Sequence, residues 1–295
     1  MNILITGTSS GIGAELFNKL SADNTVICGN RTITNNSDIQ LDMSSQKSIM
    51  DFVGNLTENN KKFDMIILNA GTKATRKRVD WNGKKLNMCR VVNLLANDYL
   101  LAQMKLHNLI KTDAKIVFMT SITHWTAENN PFPQVGCVDG NDPDDAAWAN
   151  QQYPNTKFGL FILGKKLKKI NSDYDIILCN PGMVSTKIFG DKSAVGLIPS
   201  SIRYVREMLS MTPGESADYI VSSIMSTKTD SDNKTFRYFT PYQSPVVLGF
   251  FEKTQMLQDV LGHTLLVRTS SHTDNFSKRV MDYAIEQNYE KYLSY

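Results

Sequence analysis

Short, continuous apolar runs alternate with longer amphipathic segments from the first residues of the chain, and this alternation constrains the fold more than any other feature. The runs at residues 3–5, 65–68 and 176–178 contain only apolar side chains. Such runs are typical of a parallel sheet that is covered on both faces, because a half-exposed strand alternates apolar and polar residues. Since helical segments separate the strands, the sequence predicts right-handed βαβ units and an α/β fold with a doubly wound parallel sheet.

The predicted elements follow this alternation. Strands are predicted at residues 2–6, 25–29, 64–69, 115–119, 175–180 and 236–239, with a short strand ending near Leu41. Helices are predicted at residues 12–20, 91–110 and 150–171. Another helix is predicted after Ser44 or Ser45, and it would bury Ile49, Phe52, Val53 and Leu56.

Three stretches interrupt the alternation within what we expect to be a single domain over residues 1–295. Residues 125–149 form a polar insertion rich in Pro and Asp, residues 186–213 follow the sixth strand, and residues 255–295 form a C-terminal helical extension. Ligands of such sheets bind beyond the carboxyl ends of the strands. The first two stretches are therefore expected to form a pocket wall and a substrate lid.

Composition and charge exclude several classes of protein. The chain is 41% hydrophobic and 21% charged, which is ordinary for a soluble globular protein, and its formal charge of +3 gives no reason to expect a nucleic acid or a membrane as partner. Its four cysteines lack metal-ligand spacing, and Cys28 and Cys179 lie in apolar runs, so we expect buried free thiols and no metal site. Without a signal peptide or a membrane-length apolar run, a cytoplasmic location is expected.

A glycine-rich turn, TGTSSGIG at residues 6–13, follows the first predicted strand and opens the first predicted helix. Glycines let the backbone turn tightly and approach a pyrophosphate, while a helix N-terminus offers free N–H groups and the positive end of its dipole. The position of the turn therefore predicts a dinucleotide site, although its GxxxGxG spacing differs from the more widespread GxGxxG. A glycine-rich turn without a ligand is the alternative.

This turn resembles that of the short-chain dehydrogenase/reductase family, TGxxxGIG, and other family motifs recur in order. They are NAG at residues 69–71, Asn93, Ser121, YPNTK at residues 153–157 and NPGMVST at residues 180–186. The resemblance covers about residues 1–240 and implies a Rossmann-like fold. The interval of 32 residues between Ser121 and Tyr153, and the segment TPGESA at residues 212–217, are similar to the retinol dehydrogenase and carbonyl reductase branches.

Tyr153 and Lys157 are four residues apart, so on a helix they share one face. A phenol has an ordinary pKa of about 10, and a neighbouring ammonium is expected to lower it towards neutrality. A surface Tyr–Lys pair without function is the alternative. The resemblance implies that Tyr153 exchanges a proton with the substrate oxygen and that Ser121 hydrogen-bonds this oxygen. It also implies that Lys157 lowers the tyrosine pKa and holds the nicotinamide ribose, while Asn93 orders a water molecule.

The end of the second predicted strand indicates which cofactor is used. NAD-binding proteins of the wider fold carry Asp or Glu roughly 20 residues after the glycines, on the ribose 2′-hydroxyl. Here that position is Asn30, followed by Arg31 and Thr32. A guanidinium can hold a 2′-phosphate, so NADP(H) is expected, unless Arg31 is merely solvated. Asp42 and Met43 resemble the family's adenine-contacting pair, although Asp42 is equally suited to cap the next helix.

These observations predict an NADP(H)-dependent oxidoreductase that reduces a ketone or aldehyde, or oxidises a secondary alcohol, with Tyr153 as acid and base. A silent dinucleotide-binding scaffold or redox sensor, and a double-bond reductase or epimerase, are the alternatives. The resemblance implies a homodimer or homotetramer that pairs through the helices at 91–110 and 150–171. The expected catalytic residues are Asn93, Ser121, Tyr153 and Lys157. The expected cofactor-binding residues are Gly7, Ser9, Ser10, Gly11, Ile12, Gly13, Arg31, Thr32, Asp42, Met43, Asn69, Ala70, Gly71, Tyr153, Lys157, Pro181, Gly182, Val184 and Thr186.

One acidic run in the insertion, DGNDPDD at residues 139–145, invites comparison with a calcium loop. It lacks the glycine at the sixth position and the glutamate at the twelfth that an EF-hand requires. A solvated, turn-rich loop is therefore expected there.

Overall fold

A computed structural model describes residues 1–59, 61–121, 123–124, 127, 142, 144–182, 184, 211–225, 236–239 and 241. The strands are β1 (Asn2–Thr6), β2 (Thr25–Asn30), β3 (Asp38–Gln40), β4 (Phe63–Leu68), β5 (Arg78–Trp81), β6 (Lys84–Asn87), β7 (Ile110–Met119), β8 (Asp175–Cys179) and β9 (Phe236–Phe239). The α-helices are α1 (Gly11–Leu20), α2 (Gln46–Glu58), α3 (Met88–Arg90), α4 (Ala96–Leu106), α5 (Ala146–Ile170) and α6 (Pro213–Met225). A π-helical turn, Val91–Leu95, joins α3 to α4.

Seven parallel strands form one sheet in the order β3-β2-β1-β4-β7-β8-β9, and β5 and β6 form a separate antiparallel hairpin. The sheet is buried on both faces. In β1, Leu4 packs in one hydrophobic cluster, while Ile3 and Ile5 pack in the other. Helices α2, α4 and α5 contribute to the first cluster, and α1 and α6 contribute to the second. The predicted doubly wound parallel sheet is confirmed.

The direction of winding reverses between β1 and β4, which are neighbours in the sheet. Such a reversal leaves a crevice at the carboxyl ends of the strands. The same edge receives the residues that follow β4, β7 and β8, because Leu68 pairs with Phe118 and Phe118 pairs with Leu178. The motifs that were singled out after these strands therefore meet at one edge of the sheet.

Several predicted boundaries are confirmed and others are wrong. Ser45 caps α2 by accepting a hydrogen bond from the Ser48 N–H, and the four predicted core residues of that helix are buried. The helix predicted at residues 91–110 ends at Leu106 and contains the π-helical turn. It ends early because Asn108 takes a left-handed conformation (φ 57°), which asparagine tolerates better than most residues. Residue 110 belongs to β7 instead.

The acidic run at residues 139–145 is solvated only in part: Asp144 and Asp145 are exposed as predicted, whereas Asp142 is not. Asp142 is buried and accepts hydrogen bonds from the Arg90 guanidinium (2.6 Å) and the Asn87 N–H (2.7 Å). Asp144 pairs with Arg76, and Asp145 caps α5, which therefore starts four residues before its predicted beginning. Within the described residues, no group of three His, Cys, Asp or Glu side chains is able to hold a metal ion.

Most of the three interrupting stretches cannot be compared with prediction. Residues 186–210 of the expected lid, including Thr186, residues 255–295 of the C-terminal extension and most of the insertion lie outside the described residues. The described cysteines Cys28, Cys89 and Cys179 are buried free thiols, as predicted for the first and last of them. Among the described helices, none is long and apolar enough to cross a membrane.

Candidate active site

A cleft of about 540 Å³ lies beyond the carboxyl ends of β1, β2 and β4. The predicted cofactor residues that line it are Gly7, Ser9, Ser10, Gly11, Ile12, Gly13, Arg31, Thr32, Asp42, Met43, Asn69, Ala70 and Gly71. The sequence prediction missed other lining residues, namely Gly29, Asn30, Leu41, Ser44, Thr72, Met88, Val92 and Pro213. Most of these flank predicted residues along the chain, so extending each motif by one or two positions would have found them.

The glycine turn leaves no room for side chains at two of its positions. A Cβ atom at Gly13 would lie 2.1 Å from the Gly7 carbonyl oxygen, and one at Gly7 would lie 2.9 Å from the Ala70 Cα. Gly7 also has a φ of 75°, which other residues rarely adopt. The turn is therefore packed directly against the segment after β4, and its backbone remains bare on the side of the cleft.

Asn69 holds the turn from behind. Its amide nitrogen donates to the carbonyl oxygens of Thr6 (3.0 Å) and Gly7 (2.8 Å). The Thr6 hydroxyl in turn accepts hydrogen bonds from the N–H groups of Asn69 and Ala70. The side chain of Ser10, the N-cap of α1, makes no capping hydrogen bond, so it does not compete with an anion for the first N–H groups of that helix.

One side of the cleft is built from the ends of β2 and β3. Arg31 and Thr32 are exposed and line it. Asn30 is buried, and it accepts a hydrogen bond from the Thr8 N–H while its amide nitrogen donates to the Thr8 hydroxyl. Asn30 thus braces the glycine turn.

Asp42 does not cap α2, so the alternative interpretation of this residue is wrong. Its carboxylate accepts hydrogen bonds from the Ser44 N–H (2.8 Å) and the Ser44 hydroxyl (2.7 Å). Asp42 thereby shapes the turn that leads from β3 into α2, next to Met43, which is buried at the wall of the cleft.

The predicted acid–base group assembles where β7 meets α5. The Ser121 hydroxyl hydrogen-bonds with the Tyr153 phenol. It also accepts hydrogen bonds from the Thr123 N–H and hydroxyl. The Lys157 ammonium donates to the Met119 carbonyl oxygen (2.8 Å) and lies 5.6 Å from the centre of the Tyr153 ring. The structure thus brings Ser121, Tyr153 and Lys157 together, although they do not line the cleft itself.

Burial has the largest effect on the pKa values of Tyr153 and Lys157. It raises the pKa of Tyr153 to about 12, against the opposing effect of the Ser121 hydrogen bond. Burial also lowers the pKa of Lys157 to about 8. The expectation that Lys157 brings the tyrosine pKa towards neutrality is therefore wrong for the chain alone. Removal of water from the phenol has the largest effect on its pKa. The Lys157 ammonium is hydrogen-bonded to the main-chain carbonyl of Met119.

Asn93 lies in the π-helical turn and connects the acid–base group to the cleft. Its side-chain oxygen accepts a hydrogen bond from the Thr72 N–H (2.7 Å), and its amide nitrogen donates to the Thr72 carbonyl oxygen (2.9 Å). A Cβ atom at Gly71 would lie 3.3 Å from the Asn93 Oδ1 and 3.8 Å from the Lys157 Nζ. The segment at residues 71–72, at the edge of the cleft, is thereby fixed close to the buried lysine.

Cys89 is a member of this cluster that sequence reasoning missed. Its sulfur lies 3.2 Å from the Asn93 amide nitrogen and 3.6 Å from the Thr72 carbonyl oxygen. Burial raises the pKa of this thiol to about 11, so the thiol is neutral at physiological pH. The spacing of four residues between Cys89 and Asn93 on a helix was the available signal.

The predicted segment after β8 is only partly described. The Ser216 hydroxyl of α6 donates to the Pro181 carbonyl oxygen (2.7 Å), and Gly182 has a φ of 85°. Val184 is buried and forms an isolated parallel bridge with Met211. None of Pro181, Gly182 and Val184 lines the cleft.

The chain has relatives among known proteins. The sequence profile described as short chain dehydrogenase matches residues 1–130. The short chain dehydrogenase resG of Aspergillus sclerotiorum is 26% identical over 250 residues, which cover 70% of this chain and 68% of that protein. Over residues 1–130 the chain is thus similar to the short-chain dehydrogenase/reductase family, whose members are oxidoreductases that use nicotinamide cofactors.

Solved structures agree with the fold of this chain. The 3-alpha-hydroxysteroid dehydrogenase from Pseudomonas sp. B-0831, complexed with NADH, is 20% identical with a TM-score of 0.55, covering 75% of this chain and 89% of that one. The alcohol dehydrogenase from Thermococcus sibiricus, complexed with 5-hydroxy-NADP, is 20% identical with a TM-score of 0.54, covering 83% of this chain and 98% of that one. At this level of identity the similarity extends to the fold alone.

Proposed function

We propose that this protein interconverts a ketone or aldehyde and the corresponding alcohol, with NADP(H) as cofactor. The observation that carries the proposal is the Ser121–Tyr153 hydrogen bond next to the buried Lys157, at the sheet edge that also forms the glycine-lined cleft. A silent dinucleotide-binding scaffold does not require this juxtaposition of two hydroxyls and an ammonium.

The protonation of Tyr153 suits the direction of reduction. With a pKa of about 12, the phenol carries its proton at neutral pH and is able to donate it to a carbonyl oxygen. The Ser121 hydroxyl, which hydrogen-bonds the phenol in the chain alone, would turn its one proton to this carbonyl oxygen when substrate binds. Lys157, with a pKa of about 8, supplies a largely positive charge beside the phenolate that remains after proton transfer.

The cleft fits a nicotinamide dinucleotide. Gly7 and Gly13 line it at positions where a side chain would clash with neighbouring protein atoms, and the N-terminus of α1 opens at the same place. The turn residues would hold the pyrophosphate. Asp42 and Met43 would contact the adenine, while Tyr153 and Lys157 would hold the nicotinamide ribose. When bound, the cofactor supplies the hydride for carbonyl reduction.

Arg31 favours NADP(H) over NAD(H). It is exposed at the cleft next to Thr32, and a guanidinium binds phosphate through paired, charge-assisted hydrogen bonds. The preceding residue, Asn30, carries no charge that would repel a phosphate. Its amide is engaged with Thr8 and Asp38 rather than open to a ribose hydroxyl.

Two fluorescence titrations of the purified protein, with NADPH and with NADH, test the choice of cofactor. We expect tighter binding of NADPH, and we expect Arg31→Ala to weaken NADPH much more than NADH. A preference for NADH would leave the fold intact and refute the role of Arg31. If neither nucleotide bound, the proposal of catalysis would be withdrawn.

Turnover of a panel of ketones and aldehydes, followed by the absorbance of the reduced nicotinamide, tests the catalytic group. Tyr153→Phe should abolish turnover while leaving NADPH binding nearly unchanged. Tyr99→Phe is the matched control, because Tyr99 packs edge-on against Trp81 through its ring, which the substitution retains. A Tyr153→Phe variant as active as the wild type would refute the mechanism.

A further inference from the structure

Asp38, at the start of β3, is a buried carboxylate bonded entirely to one short segment of chain. It is 8% exposed. One of its oxygens accepts hydrogen bonds from the Thr34 N–H (2.6 Å), the Thr34 hydroxyl (2.8 Å) and the Asn35 N–H (3.1 Å). The other accepts from the Asn30 amide nitrogen (2.7 Å). All four donors therefore belong to residues 30–35, the segment that follows β2.

These bonds clamp the loop that carries Arg31. Asn30 stands at one end of the loop and Thr34 at the other, and both are tied to the same carboxylate. Residues 31–33 between them are exposed, and Arg31 and Thr32 line the cleft. The position of the Arg31 backbone is thus set by Asp38, which lies behind the loop and does not itself line the cleft.

The same network reaches the glycine turn. Asn30 donates to Asp38 and to the Thr8 hydroxyl, and its side-chain oxygen accepts from the Thr8 N–H (2.7 Å). A continuous chain of hydrogen bonds therefore runs from Thr8 through Asn30 and Asp38 to Thr34. It joins the turn expected to bind the pyrophosphate to the loop expected to meet the ribose 2′ position.

Asp38 is held in its charged form by these donors. Burial opposes ionisation of this carboxyl, but the hydrogen bonds from Thr34, Asn30 and Asn35 outweigh it and lower its pKa. Replacement by asparagine would direct an NH₂ group at donors that now meet an oxygen. Such a change would loosen the loop, although it removes little volume.

We propose that Asp38 is the positioning residue for cofactor choice: it clamps residues 30–34 so that Arg31 and Thr32 face the 2′-phosphate of NADP(H). This inference rests on the proposed function and adds a specificity residue to it. It also explains why position 30 does not carry an acid in this chain. A carboxylate there would lie against Asp38, where the amide of Asn30 now donates a hydrogen bond.

Adenosine 2′,5′-bisphosphate and adenosine 5′-monophosphate, which differ only in the 2′-phosphate, are the probes for a calorimetric test. The wild type should bind the bisphosphate more tightly. Asp38→Asn should weaken binding of the bisphosphate by about tenfold or more, because the loop loses a charged hydrogen-bond partner. Binding of the monophosphate should weaken by less than about threefold. Asp51→Asn, on the exposed face of α2, is the matched control and should leave both affinities unchanged.

Equal losses of affinity for the two probes in Asp38→Asn, and therefore an unchanged ratio of the two affinities, would show a merely structural role and overturn the proposal. If that variant does not fold, Thr34→Val removes only the hydroxyl donor. It should lower the preference for the bisphosphate in the same direction by about threefold, and no change would again overturn the proposal. A wild type that binds both probes equally would refute the choice of NADP(H) itself, which is a separate failure.

Asn30→Asp supplies an independent arm. A common expectation is that an acid at this position shifts preference to NADH. If Asp38 acts as proposed, the two carboxylates repel and disturb the loop, so the variant should lose affinity for NADPH without gaining affinity for NADH. A variant that gains NADH affinity would contradict the proposed clamp.

Discussion

Replacing Lys157 by methionine should stabilise this protein while destroying its proposed catalytic group. Lys157 is 7% exposed within α5, and the ammonium has one hydrogen bond, to the Met119 carbonyl oxygen (2.8 Å). Methionine retains an unbranched apolar chain of similar length and removes the buried charge. The comparison therefore isolates what it costs to keep an ammonium in this position.

The magnitude follows from the pKa of the lysine. Burial lowers it from 10.5 to about 8, and each pKa unit corresponds to about 1.4 kcal/mol, so the charged form costs the folded state about 3 kcal/mol near neutral pH. Lys157→Met also loses the hydrogen bond to the Met119 carbonyl oxygen, which reduces the gain in stability by about 1 kcal/mol. We expect the free energy of unfolding of Lys157→Met to exceed that of the wild type by about 2 kcal/mol.

This difference should depend on pH in a defined direction. Below a pH of about 8, both the folded and the unfolded wild type bind the proton, and the cost is present in full. Between about 8 and 10.5 the unfolded chain binds more protons than the folded chain, so the free energy of unfolding of the wild type rises relative to the variant. The advantage of Lys157→Met should therefore shrink by about 2 kcal/mol between about pH 7 and about pH 9.5.

Urea unfolding of both proteins without cofactor, at several pH values across this window, measures the effect. Lys169→Met is the matched control for replacing a lysine on the same helix, since Lys169 lies exposed. A constant gap between wild type and Lys157→Met at all pH values would refute the reasoning, because it would mean that the lysine titrates alike in both states.

Further substitutions test packing and charge burial by the same unfolding assay. Gly13→Ala should cost at least about 2 kcal/mol, because its Cβ would lie 2.1 Å from the Gly7 carbonyl oxygen. Gly54→Ala, whose Cβ meets nothing within 4 Å in the middle of α2, should instead stabilise by about 0.5 to 1 kcal/mol. Arg90→Met should cost about 3 kcal/mol by leaving the buried Asp142 carboxylate without its cation, and adding Asp142→Asn should recover part of the loss. An equal loss in the double variant would argue against a charge effect.

The sheet could be predicted from the sequence because burial on both faces leaves a direct trace in each strand. Ile3, Leu4 and Ile5 point alternately to the two hydrophobic clusters, so no polar residue interrupts the run. The motifs at the strand ends could be predicted for a related reason. In a parallel sheet, the carboxyl ends share one edge whatever the lengths of the connecting helices.

The β5–β6 hairpin was not predicted, although its turn is visible in the sequence. Asn82 and Gly83 adopt φ values of 54° and 74°, the left-handed conformations that an Asn-Gly hairpin turn requires. Half of the residues in the two strands are charged, and the strands are held by contacts distant in sequence. Trp81 is buried against Tyr99 of α4, and the Asn82 N–H donates to the Gln46 side chain. The local sequence pattern does not reveal these distant partners.

The site shows most clearly what spacing does and does not determine. The spacing of four positions from Tyr153 to Lys157 brings a phenol and an ammonium together, as predicted, yet the pKa values move away from the predicted charged pair. Desolvation penalises the charged form of either group, so it raises the pKa of the acid and lowers that of the base at once. The neighbour is encoded by the spacing, whereas the removal of water depends on every element that packs around α5. The neutral phenol that donates a proton in the proposed reduction is therefore a product of the fold as a whole.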